Sequence, residues 1–181
     1  NISKDYVSEI TKLINEYAVI ILKNQKINDE EQIKFSENFG TIEPAGTNTE
    51  LTEMKDRRLS SQMNDVSNLD KNNKPLAKNN QNRIFGLGNR LWHTDASFKK
   101  KPVTLSILSG RKVPTKGGET EFCDMRCGYE ALSKEMKNKV ENLICEHSLQ
   151  YSRSKLGFIM KDVLTKKELE KFTPVLQPLV R

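Results

Sequence analysis

The chain has 181 residues and a formal net charge of +6, from 30 Lys and Arg against 24 Asp and Glu. Hydrophobic residues make up 35% and charged residues 30%, a balance that predicts a soluble, globular chain with one real core. The longest apolar run, Ala18–Leu22, is far too short to span a membrane. The first residues lack the pattern of a secretion signal.

The basic charge raises the alternative of a nucleic-acid-binding domain. The basic residues are mostly Lys and are spread along the chain, and Lys99–Lys101 is the only tight run. A nucleic-acid site also needs base-stacking aromatics on one basic face, and none is evident. Solvated Lys-rich faces are the favoured interpretation, and attraction for an anionic small substrate is a third.

Cysteine usage indicates a reducing compartment. The chain has an odd number of thiols, which are Cys123, Cys127 and Cys145. No further Cys or His completes a zinc site around them. We therefore expect free thiols and a cytoplasmic protein.

The first elements read as helix, strand and helix. Apolar residues at helical spacing predict an amphipathic helix; these are Tyr6, Ile10, Leu13, Ile14 and Tyr17. The β-branched run Val19–Ile21 then predicts a buried strand. Asn28 and Glu31 have the spacing of a capping box, which predicts a short helix ending at Gly40.

Residues 41–82 are rich in Asn, Asp, Thr, Ser and Lys. This composition predicts long polar loops, with short strands at Leu59–Met63 and Val66–Leu69. Such a stretch in a folded domain is usually functional or mobile, and we expect it to serve as an active-site lid.

The middle of the chain predicts further strands. Leu91, His93 and Asp95 share one face if their segment is extended. Strands are expected at Val103–Ser109 and Glu119–Cys123, joined by a glycine-containing turn.

Helices are expected next. They span residues 125–132 and 134–145, and Ser133 is the cap of the second. The apolar face of that second helix is expected to be Met136, Val140, Leu143 and Ile144. Thr165 and Glu168 predict another capping box, before a helix that ends ahead of Pro174. Strands, polar loops and peripheral helices together suggest a jelly-roll-like barrel.

His93 and Asp95 carry the most informative chemistry. Strand side chains two residues apart point the same way, so an imidazole nitrogen and a carboxylate oxygen can meet on one metal. His-x-Asp is two-thirds of the 2-His-1-carboxylate triad of non-haem Fe(II) oxygenases. Taken alone, the tripeptide is better explained as a surface turn with a hydrogen-bonded histidine.

The flanking residues favour the metal site over the surface turn. Two segments are close to two motifs of one family. The first is Gly88–Phe98, which contains Trp-His-Thr-Asp, and the second is Gly117–Thr120, which reads Gly-Gly-Glu-Thr. The chain resembles the taurine and chlorophenoxyacetate dioxygenases, which depend on Fe(II) and 2-oxoglutarate. The resemblance covers most of residues 17–181. It is specific around 85–130 and loose in 41–82.

The resemblance implies a mainly β fold with peripheral helices, a double-stranded β-helix of the cupin-like jelly-roll type. The chain, 1–181, would be a single domain forming the N-terminal two-thirds of that fold, and hence incomplete. Because it begins at Asn1 and ends at Arg181 after an apolar stretch, we expect both ends to be internal to a larger protein.

The resemblance also implies roles for individual residues. His93 and Asp95 would be metal ligands, Thr120 would bind the distal carboxylate of 2-oxoglutarate, and Asn89 would contact the substrate. Trp92 would lie beside the iron, although a plain core aromatic is an equal interpretation. The glycines before Thr120 would form the turn that delivers it.

The family's second histidine and its arginine for 2-oxoglutarate lie further downstream, and we expect them beyond residue 181. His147 is the chain's other histidine, and it matches a family histidine that is not a ligand. The implied reaction uses O2 to hydroxylate a small, anionic substrate, with release of succinate and CO2. The alternative is a non-catalytic binding module with the oxygenase fold.

The identity of the substrate is left open. Lys55, Arg57 and Arg58 could meet an anionic substrate, but solvated loop charges explain them better. Oligomeric state is open as well, with a homo-oligomer one option. No nucleic-acid or membrane partner is expected.

Overall fold

The structure is a computed structural model that describes residues 2–44 and 57–181. The chain divides into two compact units. The first consists of Asn1–Ile42 and Leu105–Glu141, and the second consists of Glu43–Thr104 and Asn142–Arg181.

The described residues form short helices and one small sheet. In chain order these are α1 (Lys4–Tyr17), α2 (Asp29–Glu37), α3 (Gln81–Gly86), a 3-10 turn (Leu87–Arg90), α4 (Met125–Glu130), α5 (Lys134–Val140), β1 (Ile144–His147), α6 (Leu149–Ser154), a 3-10 turn (Met160–Asp162), α7 (Lys166–Leu169), a 3-10 turn (Glu170–Phe172) and β2 (Val175–Pro178).

The first helices begin where side chains cap them. At α1 the Ser3 hydroxyl accepts a hydrogen bond from the Tyr6 amide at 3.3 Å. At α2 the capping box is complete, because Asn28 accepts from the Glu31 amide while the Glu31 carboxylate accepts from the Asn28 amide. Both predicted helices are confirmed, although α2 ends at Glu37 rather than at Gly40.

The second unit contains a cluster of buried hydrophobic side chains. Its members are Phe85, Leu149, Phe158, Met160, Leu164 and Phe172. The Phe85 and Phe158 rings meet edge to face, with centroids 5.3 Å apart and planes at 80°. Ile84, Phe98 and Leu169 pack against this cluster, so both ends of the segment 84–98 rest on the same core.

The sheet of the second unit is an antiparallel pair of β1 and β2. In its register Cys145 is opposite Gln177, and Glu146 is opposite Leu176. Side chains alternate between two faces, as in any strand. Gln177 is buried on one face, whereas Leu176 is exposed on the other.

Most of the predicted strands are wrong. The structure has no strand at five predicted positions, which are Val19–Ile21, Leu59–Met63, Val66–Leu69, Val103–Ser109 and Glu119–Cys123. A strand requires a hydrogen-bonded neighbour, and outside β1 and β2 the described residues supply only the isolated bridge Leu69–Pro75. The run after α1 is not buried either, since Val19 and Ile21 are exposed. The described residues therefore show two strands among helices, and the full jelly-roll sheet is not seen in them.

The predicted helices after residue 124 are partly confirmed. Ser133 caps α5 by accepting from the Met136 amide, and Thr165 and Glu168 form the second capping box. The helix predicted to reach residue 145 ends at Val140 instead. Leu143 lies beyond it, and Ile144 begins β1, where it pairs with Pro178.

The polar region 41–82 is described only in part, because 45–56 lie outside the described residues. From residue 57 to Asn80 the chain is irregular apart from the isolated bridge, in agreement with the predicted loops. The expected role of this region as a lid stays a prediction. Within the described ranges, no helix has the length and apolar content to cross a membrane.

Arg126 connects two helices of the first unit. Its guanidinium donates to both carboxylate oxygens of Asp124 at 2.7–3.1 Å and also to the backbone carbonyls of Asn15 and Glu16 at the end of α1. Asp124 in turn caps α4 by accepting from the Arg126 amide at 2.9 Å. These hydrogen bonds hold the pKa of Asp124 below its ordinary value. The larger effect comes from the side chain of Arg126 and the smaller from its backbone amide.

A carboxylate with a lowered pKa stabilises the fold above its unfolded pKa, about 4, and the contribution is lost as pH falls through the folded value. We therefore expect Asp124→Asn to be less stable than wild type at pH 7, with a smaller difference at pH 3. Urea unfolding at the two pH values measures this. Arg126→Met removes the donor and should reduce the acid dependence similarly. An unchanged acid dependence in Asp124→Asn would show that the lowered pKa contributes nothing to stability.

Candidate metal centre

The His93–Asp95 segment begins at the end of a helical stretch. Asn80 caps α3 through its side-chain oxygen, and the 3-10 turn Leu87–Arg90 follows directly. The Leu91 amide donates to the Gly88 carbonyl at 3.2 Å, after which Leu91 is extended, with φ −97° and ψ 147°. The chain thus leaves helical geometry just before His93.

The structure brings His93 and Asp95 together. Imidazole Nε2 and carboxylate Oδ1 are 3.2 Å apart, and the two side chains are 46% and 56% exposed. In an octahedral site with bonds of about 2.1 Å, adjacent ligand atoms lie about 3.0 Å apart. The observed separation therefore suits two neighbouring ligands of one metal ion.

The backbone fixes which nitrogen of His93 can bind a metal. Nδ1 lies 2.6 Å from the Leu91 carbonyl oxygen. A carbonyl oxygen only accepts hydrogen bonds, so Nδ1 must carry the hydrogen. In the neutral ring this leaves the Nε2 lone pair on the side of Asp95. The same arrangement, with one ring nitrogen donating and the other binding, is usual for metal-bound histidines.

The pair would supply two of the three ligands of the predicted triad. Within residues 2–44 and 57–181, no group of three His, Cys, Asp or Glu side chains could hold a metal ion. Among those residues, His147 forms no such group with the pair. It lies in β1 opposite Val175, and its role as a non-ligand stays a prediction.

The remaining predicted site residues lie in both units. Asn89 is exposed in the 3-10 turn before Leu91. Trp92 is 70% exposed, so its alternative as a core aromatic is wrong. Thr120 belongs to the first unit and is exposed, and it follows a turn in which Gly117 and Gly118 have φ of +78° and +80°. These left-handed values explain why glycine occupies both positions.

The arginines considered for an anionic substrate are engaged by their own loop. Arg57 donates to the Ser60 and Met63 carbonyls at 3.0 and 3.1 Å. Arg58 pairs with Asp65 at 3.3 Å. Lys55 lies outside the described residues. The interpretation of Arg57 and Arg58 as loop charges is therefore favoured.

Arg153 supports the turn that leads into the site, and no local pattern in the sequence indicates this role. Its guanidinium lies 4.5 Å from the centre of the Phe85 ring and directly against Gly88, where an added Cβ would be 2.2 Å from Nη1. Its Nε is buried and has no hydrogen-bond partner among residues 2–44 and 57–181. Burial accordingly lowers the pKa of Arg153.

Comparisons with known proteins identify the family. The chain matches the taurine catabolism dioxygenase TauD, TfdA family over residues 1–181, and it belongs to that family. It is 33% identical over 176 residues to an alpha-ketoglutarate-dependent 2,4-dichlorophenoxyacetate dioxygenase of Cupriavidus pinatubonensis, covering 97% of this chain and 59% of the relative.

Two further proteins extend the comparison. A (S)-phenoxypropionate/alpha-ketoglutarate-dioxygenase of Sphingobium herbicidovorans is 34% identical over 142 residues, covering 78% of this chain and 44% of the relative. The crystal structure of AAD-2 in complex with Mn(II) and N-oxalylglycine superposes with a TM-score of 0.91 at 47% identity, covering 100% of this chain and 61% of that one. The chain therefore spans about three-fifths or less of the length of these relatives.

The contact between Gly88 and Arg153 gives a test. A methyl group at residue 88 must displace a partly buried guanidinium, so we expect Gly88→Ala to destabilise the protein by about 1–3 kcal/mol. Gly86→Ala is the matched control, because nothing lies within 4 Å of its added Cβ. It should leave stability unchanged or raise it by up to about 1 kcal/mol. Equal effects in urea unfolding would argue against the packing of Arg153 on Gly88.

Proposed function

We propose that the full-length protein is an Fe(II)- and 2-oxoglutarate-dependent dioxygenase. The observation that supports this most directly is the pairing of His93 Nε2 with Asp95 Oδ1 at 3.2 Å, with Nδ1 directed to a backbone carbonyl. The family membership and the structural likeness to a protein crystallised with Mn(II) and N-oxalylglycine, an analogue of 2-oxoglutarate, support the same activity.

In the proposed site, His93 and Asp95 would hold the metal. A third ligand and the arginine that pairs with 2-oxoglutarate come from the rest of the full-length protein, which completes a double-stranded β-helix. When bound, iron and 2-oxoglutarate supply the oxidation by O2, in which one oxygen atom enters the substrate and the other enters succinate as CO2 leaves.

The remaining roles belong to residues of this chain. The Leu91 carbonyl keeps the hydrogen on Nδ1, so that the lone pair of Nε2 would be free to bind the metal. Thr120 donates its hydroxyl hydrogen to the distal carboxylate of 2-oxoglutarate. Asn89, exposed shortly before His93, would contact the substrate, and Trp92 would lie beside the iron.

The proposed substrate is a small organic anion. Two relatives are named for aryloxyalkanoic acids, 2,4-dichlorophenoxyacetate and phenoxypropionate, and a net charge of +6 favours encounter with anions. Hydroxylation of a carbon next to an ether oxygen would let the product fall apart, which cleaves the ether. A cytoplasmic location is also proposed, because Cys123, Cys127 and Cys145 are free thiols.

The deciding experiment is an anaerobic titration of the full-length protein with Fe(II) and 2-oxoglutarate, followed by the visible absorption band of the chelate. We expect the band in wild type and in His147→Ala, and its loss in His93→Ala and Asp95→Ala. The His147 variant is the matched control because it removes the chain's other histidine. Absence of the band from folded wild-type protein would reject the dioxygenase and favour the non-catalytic binding module.

Thr120 has a separate test. Loss of a hydrogen bond to a charged carboxylate costs about 1.5–3 kcal/mol, so we expect Thr120→Ala to weaken 2-oxoglutarate binding about 10- to 100-fold. The matched control is Thr115→Ala, which removes an exposed threonine hydroxyl five residues earlier. The chelate band measured against 2-oxoglutarate concentration gives both dissociation constants. Equal constants in the two variants would show that Thr120 does not bind the cosubstrate.

A further inference from the structure

A tight turn follows Asp95 immediately. Ala96 has φ +54°, in the left-handed region that an alanine seldom adopts. The Lys99 amide closes the turn by donating to the Ala96 carbonyl at 3.0 Å. Backbone of this kind persists only where its surroundings hold it, so the contacts of the turn bear directly on where Asp95 lies.

The Lys99 side chain of this turn pairs with Glu43, and a further polar contact of the turn comes from a distant strand. The Gln177 side chain donates from Nε2 to the Lys99 carbonyl at 2.9 Å, although the two residues are 78 positions apart. Gln177 is 8% exposed and lies opposite Cys145 in the β1–β2 register. The antiparallel ladder therefore fixes the backbone from which the amide group reaches the turn.

An apolar contact acts beside this hydrogen bond. Phe98 packs against the buried cluster of the second unit, and its neighbour Lys99 accepts from Gln177. Phe98 limits the distance of the turn from the core. The hydrogen bond adds direction, because an amide must point along the carbonyl lone pairs to bind well.

Burying an amide is unfavourable unless its polar atoms are satisfied. An apolar residue would fill the same space without fixing the turn, so the buried glutamine at residue 177 indicates a requirement for this directional contact. The half-exposed carboxylate of Asp95 lies just before the turn. A shift of the turn would change its separation from His93 Nε2.

We propose that Gln177 is a positioning residue for the metal pair. Its hydrogen bond to the Lys99 carbonyl holds the turn that sets Asp95 at ligand distance from His93. This inference rests on the proposed function, since it assumes that the pair binds a metal. Gln177 acts on the metal only through the turn.

The test is a Mn(II) titration of the full-length protein, in which electron paramagnetic resonance measures free Mn(II). Gln177→Met keeps the length of the side chain but removes the donor. Because residues that orient metal ligands typically change metal affinity about 10- to 100-fold, we expect Mn(II) binding to weaken by that factor.

Gln150→Met is the matched control. Gln150 lies in the same unit and also donates from Nε2 to a backbone carbonyl, that of Phe172, at 3.2 Å. This variant loses a comparable hydrogen bond away from the turn, so it should bind Mn(II) as wild type does. If Gln177 contributed only to stability, Gln177→Met and Gln150→Met would both have lower melting temperatures. Both would then bind Mn(II) with the wild-type affinity.

The outcomes separate the two proposals. Wild-type affinity in folded Gln177→Met would overturn the positioning role and leave the dioxygenase intact. Failure of wild type to bind Mn(II) would overturn both. If Gln177→Met does not fold, Gln177→Asn decides, since it keeps the amide but is one methylene too short. Weakened binding in that variant supports the proposal, and unchanged binding rejects it.

Discussion

The candidate site depends on one hydrogen bond, between His93 Nδ1 and the Leu91 carbonyl two residues earlier. It determines the tautomer of the ring and directs the Nε2 lone pair toward Asp95. Both partners are local, so the geometry of an extended segment leaving a 3-10 turn is enough to create it.

The surrounding core holds that local geometry in place. Phe85, which precedes His93 in the chain, lies inside the buried cluster of the second unit. Phe98, which follows Asp95, packs against the same cluster. Arg153 supports the turn at Gly88, while Gln177 holds the carbonyl of Lys99. The exposed side chains of His93 and Asp95 thus lie between two anchored ends of the segment.

The sequence predicted the local features well. The capping boxes at Asn28 and Thr165 were correct because their donors and acceptors lie within one helical turn. His-x-Asp was recognisable because two residues of an extended segment share a face. The predicted strands failed at Val19–Ile21 and Val103–Ser109 because alternation and β-branching indicate an extended chain, but not a partner for it. Gln177 carried no local signal, since its contact crosses 78 residues.

The most direct test of the metal centre is anomalous diffraction from crystals of the full-length protein grown with Mn(II). The predicted result is a single peak within bonding distance of both His93 Nε2 and Asp95 Oδ1, with Nδ1 still directed at the Leu91 carbonyl. A metal ion bound through Nδ1, or a peak away from this pair in well-ordered crystals, would contradict the proposed site.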